Sequence, residues 1–123
     1  MSIISYLQES FRRKKARRVT RIYPAKIDSF DLGNEGVIQF ANWDNPLYTP
    51  IVLTQNMVDF FKQFIKKGDL VIDIGANIGD TTVPMALAAG PTGIALGFDP
   101  NPYVFKILEK NATLNKDKQN IYI

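Results

Sequence analysis

Leu70-Val71-Ile72-Asp73-Ile74-Gly75-Ala76-Asn77-Ile78-Gly79-Asp80, followed downstream by Gly97-Phe98-Asp99, sets the fold of this chain. The order is a buried strand, a tight glycine loop, a helix, a second strand and then an acid. Such an order places a nucleotide-type cofactor site at the mouth of a parallel sheet. Asp99 lies twenty residues past Gly79, the spacing of one strand–helix–strand unit. An acid at the end of the second strand accepts hydrogen bonds from both ribose hydroxyls.

The loop chemistry narrows the cofactor. In the dinucleotide pattern G-x-G-x-x-G/A, Gly75 fills the first position, but Asn77 and Asp80 fill the other two. The second glycine lets the backbone approach a pyrophosphate, and the third allows close helix–strand packing. A carboxylate at Asp80, near a helix start, also repels a pyrophosphate. This disfavours an NAD-type dehydrogenase. A phosphate-binding P-loop is excluded because no Gly-Lys-Ser/Thr follows. A ligand with ribose and adenine but no phosphates remains, and S-adenosylmethionine fits. Its cationic sulfonium tolerates acidic neighbours. Asp73, polar within an apolar strand, is expected to cap loop N–H groups and also to face the ligand's amino group.

These residues resemble a known family. Asp73-Ile74-Gly75-Ala76-Asn77-Ile78-Gly79 is similar to the first motif of class I methyltransferases, in the Gly-Ala-Asn-x-Gly form of the FkbM family. Phe98-Asp99-Pro100-Asn101-Pro102 resembles that family's second motif, where the acid is more often Glu. Phe105, Leu108, Asn111, Leu114 and Asn115 continue the similarity, which covers residues 68–123. The resemblance implies a Rossmann-like α/β fold, S-adenosyl-L-methionine as cofactor, and O-methylation of a hydroxyl on a sugar or other small metabolite. It also implies that Gly75, Ala76, Asn77 and Gly79 shape the loop around the methionine part. Asp99 would hold the ribose, with Pro100 and Asn101 beside the adenosine.

Composition sets bounds. The 123 residues suit one domain with a modest core. There is no cysteine and no histidine, so disulfides, thiolate chemistry and the commonest general base and metal ligand are all missing. No metal site is expected. The net charge of +3 hides an asymmetry. Residues 1–21 carry Arg12, Arg13, Lys14, Lys15, Arg17, Arg18 and Arg21 against Glu9, a net +6, whereas the remaining residues sum to −3. No apolar run approaches the roughly 20 residues of a membrane helix, and no secretory pattern opens the chain. Both absences point to a cytoplasmic protein.

Residues 2–19 can form a helix, with Ile3, Leu7 and Phe11 about one turn apart. Two readings compete for this basic segment. One is a weak contact with an anionic membrane. The favoured one is a solvated helix whose apolar stripe docks on the domain. Nucleic acid is not expected, because no aromatic residues interleave the charges. Residues 22–43 read as a β-hairpin, turning at Asp31-Leu32-Gly33-Asn34-Glu35-Gly36. Trp43 and Tyr48, in or beside a Pro- and Asx-rich loop, could line a substrate mouth but more simply cover a core edge. A helix capped by Thr54 should run to about Lys67, burying Met57, Phe60, Phe61, Phe64 and Ile65. The apolar run 70–74 suits a parallel strand covered on both faces. Thr81 should cap the next helix, placing Pro84 in its first turn. Asn101 and Pro102 should open a further helix that buries Val104, Ile107, Leu108 and Ala112. Residues 120–123 begin a third strand.

The expected organisation is therefore a basic helix (1–21), a hairpin and loop (22–53), and the β-α-β-α-β first half of a cofactor domain (54–123). A parallel sheet of this type usually continues, so the chain is expected to be the N-terminal part of a longer protein, with an open edge prone to self-association. No catalytic residue can be named. The expected function is methyl transfer to a small-molecule or glycan acceptor. The alternative is a non-catalytic cofactor-binding half that needs a partner chain.

Overall fold

The computed structural model describes residues 2–16 and 22–123. Its elements are α1 (Ile3–Ala16), β1 (Ala25–Asp31), a short 3-10 turn (Gly33–Glu35), β2 (Val37–Trp43), α2 (Gln55–Lys62), β3 (Leu70–Ile74), α3 (Thr82–Ala89), β4 (Ile94–Phe98), α4 (Pro102–Thr113) and β5 (Ile121–Tyr122). Strands β1 and β2 form an antiparallel hairpin, with Ala25 opposite Trp43 and Asp31 opposite Val37. Strands β3, β4 and β5 form a parallel sheet in that order. The result is the α/β, Rossmann-like architecture expected, preceded by a helix and a hairpin.

The parallel sheet is covered on one face only. Val71, Asp73, Ala95, Gly97 and Ile121 lie on the face that α3 covers. Helix α3 is apolar nearly all round, because α2 packs on its other side. The opposite face carries Leu70, Ile72, Ile74, Phe98 and Tyr122, all exposed, with Ile74 at 85%. This corrects the expectation that both faces of the 70–74 strand are buried. An unbroken apolar run reads the same whether one face or both are covered.

Two further expectations, on helices α2 and α1, are corrected. Helix α2 ends at Lys62, not near Lys67. It packs against α3, with Val58 buried and Phe60 exposed; past its end Ile65 is buried, as expected, but Phe64 is exposed. Helix α1 does not bury its stripe: Ile3 is 79% exposed and Phe11 70%. The expected helical residues 17–19 lie outside the described residues. In the hairpin, Ala25 and Ile27 are exposed, and the buried side chains come from β2.

The hairpin is fastened to the parallel domain by side-chain amides. Residues 37, 39 and 41 turn their backbone groups away from β1. Asn111 of α4 accepts from the Ala41 N–H at 2.7 Å and donates to the Ala41 carbonyl at 2.9 Å and the Ile78 carbonyl at 2.7 Å. One turn later, Asn115 accepts from the Gln39 N–H at 2.9 Å and donates to the Gln39 carbonyl at 2.8 Å. Lys118 completes the row by donating to the Glu35 and Val37 carbonyls at 3.0 and 3.1 Å. Together these groups stand in for a missing neighbour strand. Asn115 has φ 51°, the left-handed position that ends a helix, where Asn is tolerated.

Asn111 is wholly buried, and truncating it leaves one N–H and two carbonyls without partners. Each buried unsatisfied group costs about 1–3 kcal/mol. Asn111→Ala is therefore expected to lower unfolding free energy by about 3–5 kcal/mol in urea titration. Asn115→Gly, which keeps the left-handed backbone easy and removes a more exposed amide, should cost less than half of that.

Candidate functional site

The C-terminal ends of β3 and β4 bring the two expected motifs together. Beyond β3 the chain turns through Gly75 at φ 85°, Asn77 at φ 52° and Gly79 at φ 101°. The Gly75 and Ala76 N–H groups both donate to the Phe98 carbonyl, at 2.8 and 2.9 Å. The loop is thereby laced to the neighbouring strand. A side chain at Gly75 would meet nothing within 4 Å, so open space lies above this residue. Gly79 serves a different purpose. A Cβ there would approach Leu108 at 3.3 Å and Asn111 at 3.6 Å, so this glycine allows the loop to press on α4. Ala76 is also buried.

Asp99 is held by two backbone groups. Its Oδ2 accepts from the Asn77 N–H and its Oδ1 from the Asn101 N–H, both at 2.8 Å. A carboxylate offers about four acceptor positions. Each oxygen thus keeps a lone pair for a further donor, as a ribose diol would require. Asn101 caps α4, accepting from the Tyr103 N–H at 3.0 Å, and Pro102 follows at the first helical position. Pro100 is exposed beside them.

Asp73 makes a different bond from the one expected. Its Oδ2 accepts from the Thr82 hydroxyl at 2.7 Å, whereas the Asn77 N–H of the loop goes to Asp99. Gly97 sits opposite Asp73 in register, and a Cβ there would approach the Thr82 methyl at 3.4 Å. The strand spacing gave no hint of this Thr82–Gly97 fit. As expected, Thr81 precedes α3, although it makes no side-chain cap, and Pro84 falls in the first turn.

Two residues join the site that the two motifs do not contain. Tyr48 reaches in from the loop after β2, and its hydroxyl accepts a hydrogen bond from the Asn77 side chain. Burial raises its pKa, and the nearby Asp80 and Asp99 carboxylates add to this against the Asn77 bond. Asp80 is raised as well, by burial first and by the neighbouring Asp73 charge, against the pull of its own backbone N–H. It lines a recess of about 370 Å³ with Asn56, Met57, Phe60, Phe61 and Thr81. Among the described residues, no group of three or more His, Cys, Asp or Glu side chains is placed to hold a metal, and no helix is long and apolar enough to cross a membrane.

No family model matches the chain. Its fold is similar to that of a crystal structure from Pyrococcus horikoshii, "putative transferase PH0793", with a TM-score of 0.50 and 21% identity. The similarity covers 78% of this chain and 35% of that one, so the chain spans about a third of the length of the structure it matches. At this identity the likeness speaks for the Rossmann-like fold.

The raised pKa of Asp80 has a consequence for stability. Below its ordinary value of 3.8, the folded and unfolded forms both carry the proton. As pH rises, the unfolded chain gives up the proton first, and stability falls until the folded group ionises too. Asp80→Asn should therefore raise the thermal midpoint at pH 7, with the difference closing below pH 3.8. Equal midpoints at pH 7 would contradict the assignment.

Proposed function

We propose that this chain binds S-adenosyl-L-methionine and serves a methyltransferase acting on a hydroxyl of a small molecule or glycan. The observation that carries the reading is Asp99. Its carboxylate is locked at the end of β4 by two N–H groups, with a lone pair left on each oxygen, beside a loop with open space over Gly75. The acids around that loop suit a cationic ligand and oppose a phosphate. The resemblance of Asp73–Gly79 and Phe98–Pro102 to the FkbM motifs supports the same reading, as does the transferase assignment of the P. horikoshii structure.

When bound, the cofactor would supply an electrophilic methyl group on a sulfonium. This chain's own residues bind and orient. Asp99 would hold the ribose. Gly75 and Asn77 would hold the amino-acid arm, with Pro100 and Asn101 beside the adenosine. Ala76 and Gly79 contribute through the loop's shape. The recess beside Asp80 is the proposed place of the acceptor, with Met57, Phe60 and Phe61 as its apolar wall. Burial moves the Asp80 carboxyl in the direction that makes it a better proton acceptor.

Asp99→Ala removes two charge-assisted hydrogen bonds to the ribose, each worth about 1.5–3 kcal/mol. By calorimetry, S-adenosylmethionine affinity should fall by about tenfold or more, with Asp99→Asn intermediate. An unchanged dissociation constant in Asp99→Ala would remove Asp99 from the site.

The exposed stripe of α1 favours a separate contact. We propose that α1 lies on anionic lipid. Ile3, Ile4, Leu7 and Phe11 form one exposed face, and Arg12, Arg13, Lys14 and Lys15 follow in its last turns. Apolar burial and basic charge together make the two signals that surface anchoring needs. The protein should float with phosphatidylserine vesicles at low salt, and far less with neutral ones. Leu7→Asp with Phe11→Asp should abolish this. Equal recovery on both vesicle types, or on neither, overturns the proposal.

A further inference from the structure

Tyr48 is fixed in place more firmly than a surface loop residue needs to be. Asn42 clamps Ile51, accepting from its N–H at 2.7 Å and donating to its carbonyl at 3.0 Å. Asn45 accepts from the Leu47 N–H at 2.9 Å, and its carbonyl accepts from the Tyr48 N–H at 2.9 Å. The Tyr48 ring stands edge-on to Trp43, with centroids 5.6 Å apart. This scaffold aims the phenol at Asn77, the non-glycine residue held at positive φ in the cofactor loop. Asn77 in turn donates its backbone N–H to Asp99. Tyr48, Asn77 and Asp99 therefore form one connected row along the site.

The direction of the Tyr48–Asn77 bond decides what the phenol can do. Its oxygen accepts from the Asn77 side chain, so its own proton remains available. No described residue accepts that proton. Burial above all, and then the nearby Asp80 and Asp99 carboxylates, work against ionisation, so the group stays a neutral donor at physiological pH. The surrounding basin is rich in carboxylates: Asp73, Asp80 and Asp99. A positively charged part of a ligand finds partners there easily. A negatively charged part does not, and needs a neutral donor. The backbone N–H groups of the loop and the second proton of the Asn77 amide are donors there, and the Tyr48 hydroxyl adds a neutral donor from outside the loop.

Building on the S-adenosylmethionine reading, we propose that Tyr48 contacts the ligand directly. Its phenolic proton is donated to the carboxylate of the amino-acid arm, and the loop after β2 thereby becomes one wall of the site. The hairpin then recognises the ligand as well as bracing the sheet.

The test compares two ligands that differ only in that carboxylate, S-adenosylmethionine and its decarboxylated analogue. Trp43 is the sole tryptophan and lies against Tyr48, so its fluorescence reports occupancy without any assay of activity. Each ligand is titrated into the full chain and into Tyr48→Phe. In the unaltered protein the decarboxylated analogue should bind about tenfold or more weakly. In Tyr48→Phe, S-adenosylmethionine should weaken to a similar level while the analogue is unchanged. Equal weakening of both ligands would mean that Tyr48 acts only by shaping Asn77, and would overturn the proposal. Equal affinity for the two ligands in the unaltered protein would overturn it without recourse to the variant. Binding of neither ligand to the unaltered protein would remove the underlying site reading, and this proposal with it. Binding of both with equal affinity would leave that reading standing.

Discussion

Asn111 is the residue on which the rest of the structure depends. Its single amide spans three parts of the molecule: it sits on α4, pairs with both backbone groups of Ala41 in β2, and holds the Ile78 carbonyl of the glycine loop. A hydroxyl could not do this, because it lacks two separate donor protons. An aspartate could not either, because it would face two carbonyls with no proton to give. Gly79 is part of the same constraint. At φ 101° a side chain would be strained, and a Cβ would press on Leu108 at 3.3 Å, so glycine eases the approach of the loop to α4 that lets the Ile78 carbonyl meet the amide. The hairpin, the loop and the helix are thus set relative to one another by one side-chain amide.

That arrangement divides labour between the two acids of the site. Asp99 accepts from the loop and from the first turn of α4, so it shapes the backbone around it. Asp73 is tied sideways to Thr82, which fixes its rotamer and leaves one of its oxygens, Oδ1, without a bond from the described protein groups. Asp80, partly buried near Asp73, carries an electrostatic cost that packing does not relieve. Costs of this kind cluster where a protein binds something, since a ligand of opposite charge relieves them.

Much of this was legible in the sequence, and what was not has physical reasons. The strand–loop–helix–strand order, the Asn101–Pro102 helix start and the position of Asp99 follow from local rules, and local rules acted as they should. Asn111 and Asn115 stood out only through their likeness to a family. A periodicity reading placed Ala112 on the buried face and could not tell that a buried polar residue beside it was satisfied. Sequence alone leaves Tyr48 between lining a substrate mouth and covering a core edge, with the second favoured. Its place at Asn77 depends on two chain segments 29 residues apart, which no local pattern encodes. The uncovered sheet face and the exposed stripe of α1 escape a sequence reading for a related reason. Hydrophobicity says that a residue gains from burial, but not whether anything arrives to bury it.

The amide clamps also impose an order in time. The hairpin is local and can form soon after Trp43 is synthesised, but its outer edge is closed by Asn111, 70 residues beyond Ala41. At a synthesis rate of about 5–20 residues per second, that edge waits roughly 4–14 s for its cover. Throughout this interval β2 presents the N–H and carbonyl groups of Gln39 and Ala41 to whatever surrounds the nascent chain. Asn111 and Asn115, which close the hairpin in the finished fold, therefore also mark the moment at which this edge of the growing polypeptide stops offering unpaired backbone groups.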